Sequence, residues 1–200
     1  MNKTISILFI FSILTFNATS QINNLSGPRI GAVFISPSPA SSFLRGDIAL
    51  DQTGELPPSY DDFAKGSLTS LYGWQFESRF ADGYDVTGIV EWIVLVAGME
   101  RGKFLPSVSS MVGARLGSGL EFAVGPNLSL AGVAMVFGVG YNFKAGDLNL
   151  PINLAIVPGR TQTQDAYNGY DSQGEFTSIP EFEYNTGTRI SITVGFNLNR

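Results

Sequence analysis

The chain of 200 residues contains no cysteine and no histidine. Without cysteine it has no disulfide scaffold and no thiolate metal site. Without histidine it has no Ser–His–Asp hydrolysis, no His-ligated zinc and no imidazole base. Charge is also scarce. Asp, Glu, Lys and Arg make up 14% of the chain, against about 25% in ordinary globular proteins. The net charge of −5 offers no basic footprint, so no nucleic-acid partner is expected. Long apolar runs are missing after the first twenty residues. The longest, 89–99, is interrupted by Glu91, and a helical membrane span needs about 18 or more. Helical periodicity is weak throughout, because Gly, Ser, Thr, Val and Asn are spread through every apolar segment.

The N-terminus has the features of an export signal. Lys3 precedes an apolar run over 5–16, and the small residues Ala18 and Ser20 follow it. A run of that length is too short to span a bilayer, which takes about 20 apolar residues. This pattern predicts a signal peptide over 1–20, cleaved before Gln21, and a single domain over 21–200.

Period-two alternation is what repeats in that domain. Ile190, Ile192, Val194, Phe196 and Leu198 alternate with Ser191, Thr193, Gly195 and Asn197. Val133, Met135, Phe137, Val139, Tyr141 and Phe143 alternate with Ala134, Val136, Gly138, Gly140 and Asn142. Leu148, Leu150, Ile152, Leu154 and Ile156 alternate with Asn149, Pro151, Asn153 and Ala155. Alternation of this kind marks strands. It predicts eight of them, over 29–36, 66–80, 84–98, 104–116, 119–126, 130–143, 148–157 and 188–198. The first and fifth are the shortest, and the register of the first is unclear because both its faces are apolar.

Three connections are tight turns built on Gly and Asp, at 81–83, 117–118 and 144–147. Two are long, 37–65 and 158–187. In an up-and-down arrangement all three tight turns fall on one side, with both termini, and both long loops on the other. Phe80, Tyr141, Phe143 and Phe196 would form one aromatic girdle, and Tyr72, Trp74 and Phe104 would lie nearer the opposite side. The strand charges Glu77, Arg79, Glu91, Arg115 and Glu121 all fall on the face opposite the apolar one, among Gly, Ser, Thr and Ala. In a narrow eight-stranded lumen such charges must pair. Arg79 and Arg115 are therefore expected to interact with some of Glu77, Glu91 and Glu121.

With these features the chain resembles the small eight-stranded outer-membrane barrels of the OmpA/OmpX type. The segment Gly119-Leu120-Glu121-Phe122-Ala123-Val124-Gly125-Pro126-Asn127 is similar to strands of the outer-membrane β-barrel domain family. The resemblance implies an all-β, eight-stranded antiparallel up-and-down transmembrane β-barrel in the outer membrane of a Gram-negative cell. It implies contact with outer-membrane lipid and, through the outer loops, with other outer-membrane proteins. Enzymes among such barrels rely on histidine, so a non-catalytic structural or interaction role without cofactor or metal is expected. A carboxylate-only mechanism from Glu77, Glu91 and Glu121 is the weaker alternative to a salt-bridge network. Two other classes stay open: a narrow channel, and a soluble periplasmic barrel with an apolar ligand. In the loop over 158–187, Tyr167, Tyr170, Phe176, Phe182 and Tyr184 form a candidate docking surface. The same residues are equally suited to packing the loop onto the barrel mouth. Asp165, Asp171 and Glu175 in that loop could hold Ca²⁺, without the EF-hand spacing.

Overall fold

The computed structural model describes residues 25–47, 64–146, 148–170 and 176–199. The leader expected over 1–20 and its cleavage point lie outside the described residues. In chain order the elements are β1 (Leu25–Ile35), α1 (Pro39–Arg45), β2 (Ser67–Asp82), β3 (Val86–Ala97), β4 (Leu105–Leu116), β5 (Leu120–Ser129), β6 (Gly132–Ala145) and β7 (Leu148–Val157). They continue with β8 (Thr161–Gln164), β9 (Tyr167–Tyr170), β10 (Phe176–Ile179), β11 (Phe182–Asn185), β12 (Arg189–Gly195) and β13 (Asn197–Asn199).

Each strand from β1 to β7 pairs antiparallel with its neighbours, and β12 pairs with both β7 and β1. The sheet is thereby closed into an eight-stranded antiparallel up-and-down barrel. Its eighth strand is β12 together with β13. Both keep one register against β1, with Arg29 opposite Gly195 and Ser26 opposite Leu198. The ladder lapses between them, where Phe196 faces Pro28, because proline has no N–H to donate.

Two strands are longer than the sequence pattern suggests. β1 begins at Leu25, and β5 runs on through Pro126 to Ser129. The Gly125-Pro126-Asn127 step has the composition of a turn. Pro126 instead points outward beside a short gap in the β4–β5 ladder, and Asn127 points inward, where its Nδ2 donates to Ser109 Oγ at 2.9 Å.

The larger correction concerns the connection over 158–187. It is a β-hairpin, with β8 paired to β11 and β9 to β10. Thr161 faces Asn185 and Tyr170 faces Phe176, in the register that sets Val157 opposite Arg189. The β7–β12 hairpin therefore continues beyond the barrel rim without a slip. The other long connection, expected as a loop, contains α1. Ser38 caps it in a reciprocal capping box with Ser41, Pro39 starts it, and Gly46 ends it at φ +82°.

Closure separates the two faces of each strand. Ile30, Leu68, Trp92, Val112, Phe122, Phe137, Leu154 and Ile192, one from each barrel strand, are outward and exposed. The alternate positions point into the lumen. Toward the tight turns these are polar and charged, including Arg29, Gln75, Glu77, Glu91, Arg115 and Glu121. Toward the long connections apolar side chains share the lumen with Ser67, Thr69, Ser109 and Asn127. Val33, Ile35, Leu71 and Ala97 pack there with Leu44 of α1, and Met111, Val136 and Val157 form a second cluster. The burial of Leu44 contributes roughly 1.5–3 kcal/mol to holding α1 on the mouth.

So narrow a barrel demands strong strand coiling, and inward glycines permit it. A Cβ placed on Gly113 would overlap the carbonyl oxygen of Phe122 on the next strand, and one on Gly73 that of Val94. Outside, the Phe80 ring lies over Gly88 and fills the missing side chain, beside the register shift between Arg79 and Ala81. Gly113→Val is expected to prevent closure, whereas Gly117→Val, with only the Asp85 carbonyl at 3.7 Å, is tolerated. Electrophoresis with and without boiling checks this: the fast-migrating folded band should vanish for Gly113→Val alone.

Candidate functional site

The inward face of the tight-turn half carries the densest chemistry in the described residues. Arg115 on β4 is the hub. Its Nη1 and Nη2 donate to the two carboxylate oxygens of Glu77 on β2 at 2.7 and 2.5 Å, and its Nε donates to Glu121 on β5. The first contact is bidentate, which uses the planar fork of the guanidinium. Glu77 reaches it from across β3, and Glu121 is its cross-strand partner.

A second chain of bonds crosses the barrel seam. Arg29 on β1 donates through Nε to Gln75 Oε1 at 2.9 Å and through Nη1 to Asn197 Oδ1 at 2.9 Å. The same Nη1 reaches the Pro28 carbonyl at 2.9 Å. Gln75 passes the link on by donating through Nε2 to Glu91. Asn153 touches Gln75 Oε1 from β7 at 3.5 Å. Three carboxyl groups and two guanidinium groups thus lie buried within one polar layer. Around them Asn142 donates to Asn149 at 3.3 Å.

The residues expected in the lumen network therefore divide. Glu77, Arg115 and Glu121 meet directly. Glu91 enters through Gln75 and has no ion pair among the described residues. Arg79 stays apart: it is half-buried, and its Nε has no hydrogen-bond partner among the described residues. It lies next to the register shift between Arg79 and Ala81 of β2. Arg29 and Gln75 went unrecognised in the sequence. β1 is apolar on both sides, so no face could be assigned to Arg29, and only the ladder with β2 and β12 settles it.

Both oxygens of Glu77 are engaged by one guanidinium that also holds Glu121. Neither carboxylate is set as an acid–base pair facing a substrate. The arrangement cross-braces β2, β4 and β5 and fills the lumen.

The aromatic residues of the hairpin are arranged along one of its faces. Tyr170 and Phe176 meet across the strands, ring centres 5.6 Å apart and edge-on, and both are strongly exposed. Phe182 and Tyr184 follow at 6.1 Å, and Tyr184 Oη donates to Gln162 at 2.8 Å. Phe182 and Tyr184 are half-buried, unlike Tyr170 and Phe176. Tyr167 takes the backbone position opposite Ile179. Of the Ca²⁺ candidates, Asp171 and Glu175 lie outside the described residues. Among the described residues no group of three or more His, Cys, Asp or Glu could hold a metal ion.

On the same rim, Glu100 of the short 3-10 turn Met99–Arg101 anchors the β3–β4 connection to β2. It accepts from the Ser70 and Thr69 hydroxyls and from the Ser70 N–H at 3.1 Å. Those bonds, Ser70 first, lower its carboxyl from 4.5 to about 2. No protein-family model matches the chain, and no characterised protein resembles it significantly.

Two outcomes follow. Arg115→Met leaves Glu77 and Glu121 buried without their partner and should destabilise the barrel by about 3–5 kcal/mol. Urea unfolding followed by tryptophan fluorescence measures it, and Arg115→Met combined with Glu77→Leu and Glu121→Leu should recover much of the loss. Glu100 has a lowered folded pKa, so its tie is at full strength above about 4.5 and is lost as pH falls toward about 2. Amide exchange in the β3–β4 connection should rise over that window, and Glu100→Gln should abolish the pH dependence.

Proposed function

We propose that this chain is an outer-membrane β-barrel of non-catalytic, structural or interaction type, of the general kind typified by OmpA and OmpX. The observation that carries the reading is the inverted distribution of polarity. The exterior is a continuous apolar surface, while five charged side chains are buried in the lumen. A protein folded in water has the reverse arrangement, and an exposed apolar surface of this extent calls for a nonpolar surrounding. On β6 the outward apolar positions run from Val133 to Phe143. At the usual rise and tilt that stretch covers about 25 Å, the height of a bilayer's apolar band.

Aromatic residues concentrate where such a band would end. Tyr141 and Phe143 stack at 4.6 Å near the tight turns, with Phe80 nearby, and Phe104 and Phe34 lie near the opposite rim. The export signal supports the same location. In this reading the hairpin stands on the outer side, with Tyr170 and Phe176 exposed as contact residues for another outer-membrane component. The polar layer around Arg115 fills the lumen and argues against a channel.

Membrane fractionation tests the location, and gel mobility with and without boiling tests the barrel. The protein should sediment with the outer membrane and migrate faster unboiled. Recovery in the soluble periplasmic fraction would overturn the reading. A steady conductance in planar bilayers would replace it with that of a channel.

A further inference from the structure

Above the polar layer the lumen is open. A cavity of about 130 Å³ lies between the network and α1. Its walls are largely apolar: Ile35, Leu71, Ile93, Leu105, Met111 and Val136 are among them. Apolar cavities of about 150 Å³ stay dry and take up a molecule the size of benzene. The space here suits a ring or a chain of about six carbons.

One cation faces this cavity. Arg189 projects inward from the first position of β12 and crosses to β5, where its Nη2 donates to Asn127 Oδ1 at 3.0 Å. Its Nε is buried and has no hydrogen-bond partner among the described residues. No carboxylate among the described residues forms an ion pair with it. A half-buried guanidinium that lacks a counter-ion and a partner for one buried N–H is costly to maintain. Arg29 and Arg79 also leave a buried N–H without a hydrogen-bond partner among the described residues, but neither lines the cavity.

We propose that the cavity binds a small apolar monocarboxylate, aliphatic or aromatic, with its carboxylate on Arg189. The polarity of the walls fixes the orientation. Glu91 and Glu121 line the cavity from the network side, where the Arg115 guanidinium is already taken by Glu77 and Glu121. The carboxylate therefore lies toward Arg189 and the apolar body against Met111, Val136 and Ala155. The inference depends on the barrel interior alone and not on what surrounds the barrel.

Methionine methyl resonances give a direct readout. Met111 lines the cavity, whereas Met135 points outward on β6 and Met99 lies in the rim turn. The folded full chain, labelled at methionine methyls in lipid nanodiscs, is titrated with hexanoate and with 1-hexanol. If fractionation shows the protein to be soluble, the same titration is run in buffer, so the two readings fail separately. Hexanoate should shift Met111 saturably and leave Met135 unmoved. Arg189→Gln should weaken hexanoate about tenfold, the worth of one charge-assisted contact, and leave 1-hexanol unchanged. Ala155→Phe, or Ala155→Leu if the first does not give the fast-migrating folded band, should remove binding of both. The absence of a saturable Met111 shift with either probe would overturn the site. Equal hexanoate affinity in the wild type and Arg189→Gln would overturn the carboxylate assignment.

Discussion

The ladder that joins β1 to β12 and β13 closes the sheet, and the rest of the molecule depends on that closure. An open sheet of these strands would leave two edges and two accessible faces. Once it is closed, every second side chain is committed to a lumen that eight strands leave barely wide enough to fill. Inward residues must then be small, apolar or fully paired. The inward glycines, the Arg115 hub and the Arg29–Gln75–Glu91 chain are three responses to one spatial limit.

The lumen is divided along its length, and the division explains how one narrow interior contains both a charge network and a cavity. The tight-turn half concentrates its charges so that each can find a partner in a region of low dielectric, where an unpaired one is costly. The outer half uses Ile, Leu, Val and Met, and α1 covers it through Leu44. Arg189 lies in this half, at the cavity wall beside Asn127. Among the described residues its guanidinium makes fewer hydrogen bonds than that of Arg29 or Arg115.

The outer side is organised by β pairing more than by loops. The β7–β12 register persists through β8–β11 and β9–β10. Tyr170 and Phe176 are displayed on this hairpin, both strongly exposed. The mouth is covered instead by a seven-residue helix with a complete capping box.

The amino-acid sequence by itself determined the strand count, the outward face and the candidate charges Glu77, Glu91, Arg115 and Glu121. Strict alternation commits a residue to a face whatever its neighbours are. It also held the signals for α1, in Ser38-Pro39 and Gly46, although a single short helix among strands is easily passed over. Only the tertiary structure decided who pairs with whom. Arg29 and Gln75 lie 46 positions apart and meet because β2 folds back antiparallel onto β1. Arg79 lies on the predicted face, beside the register shift at the end of β2, yet stays out of the network. The hairpin and the cavity were likewise settled by pairing register and by barrel closure, both long-range properties. Periodicity along one strand carries no information about the strand that will lie opposite, because that is fixed by packing across the whole barrel.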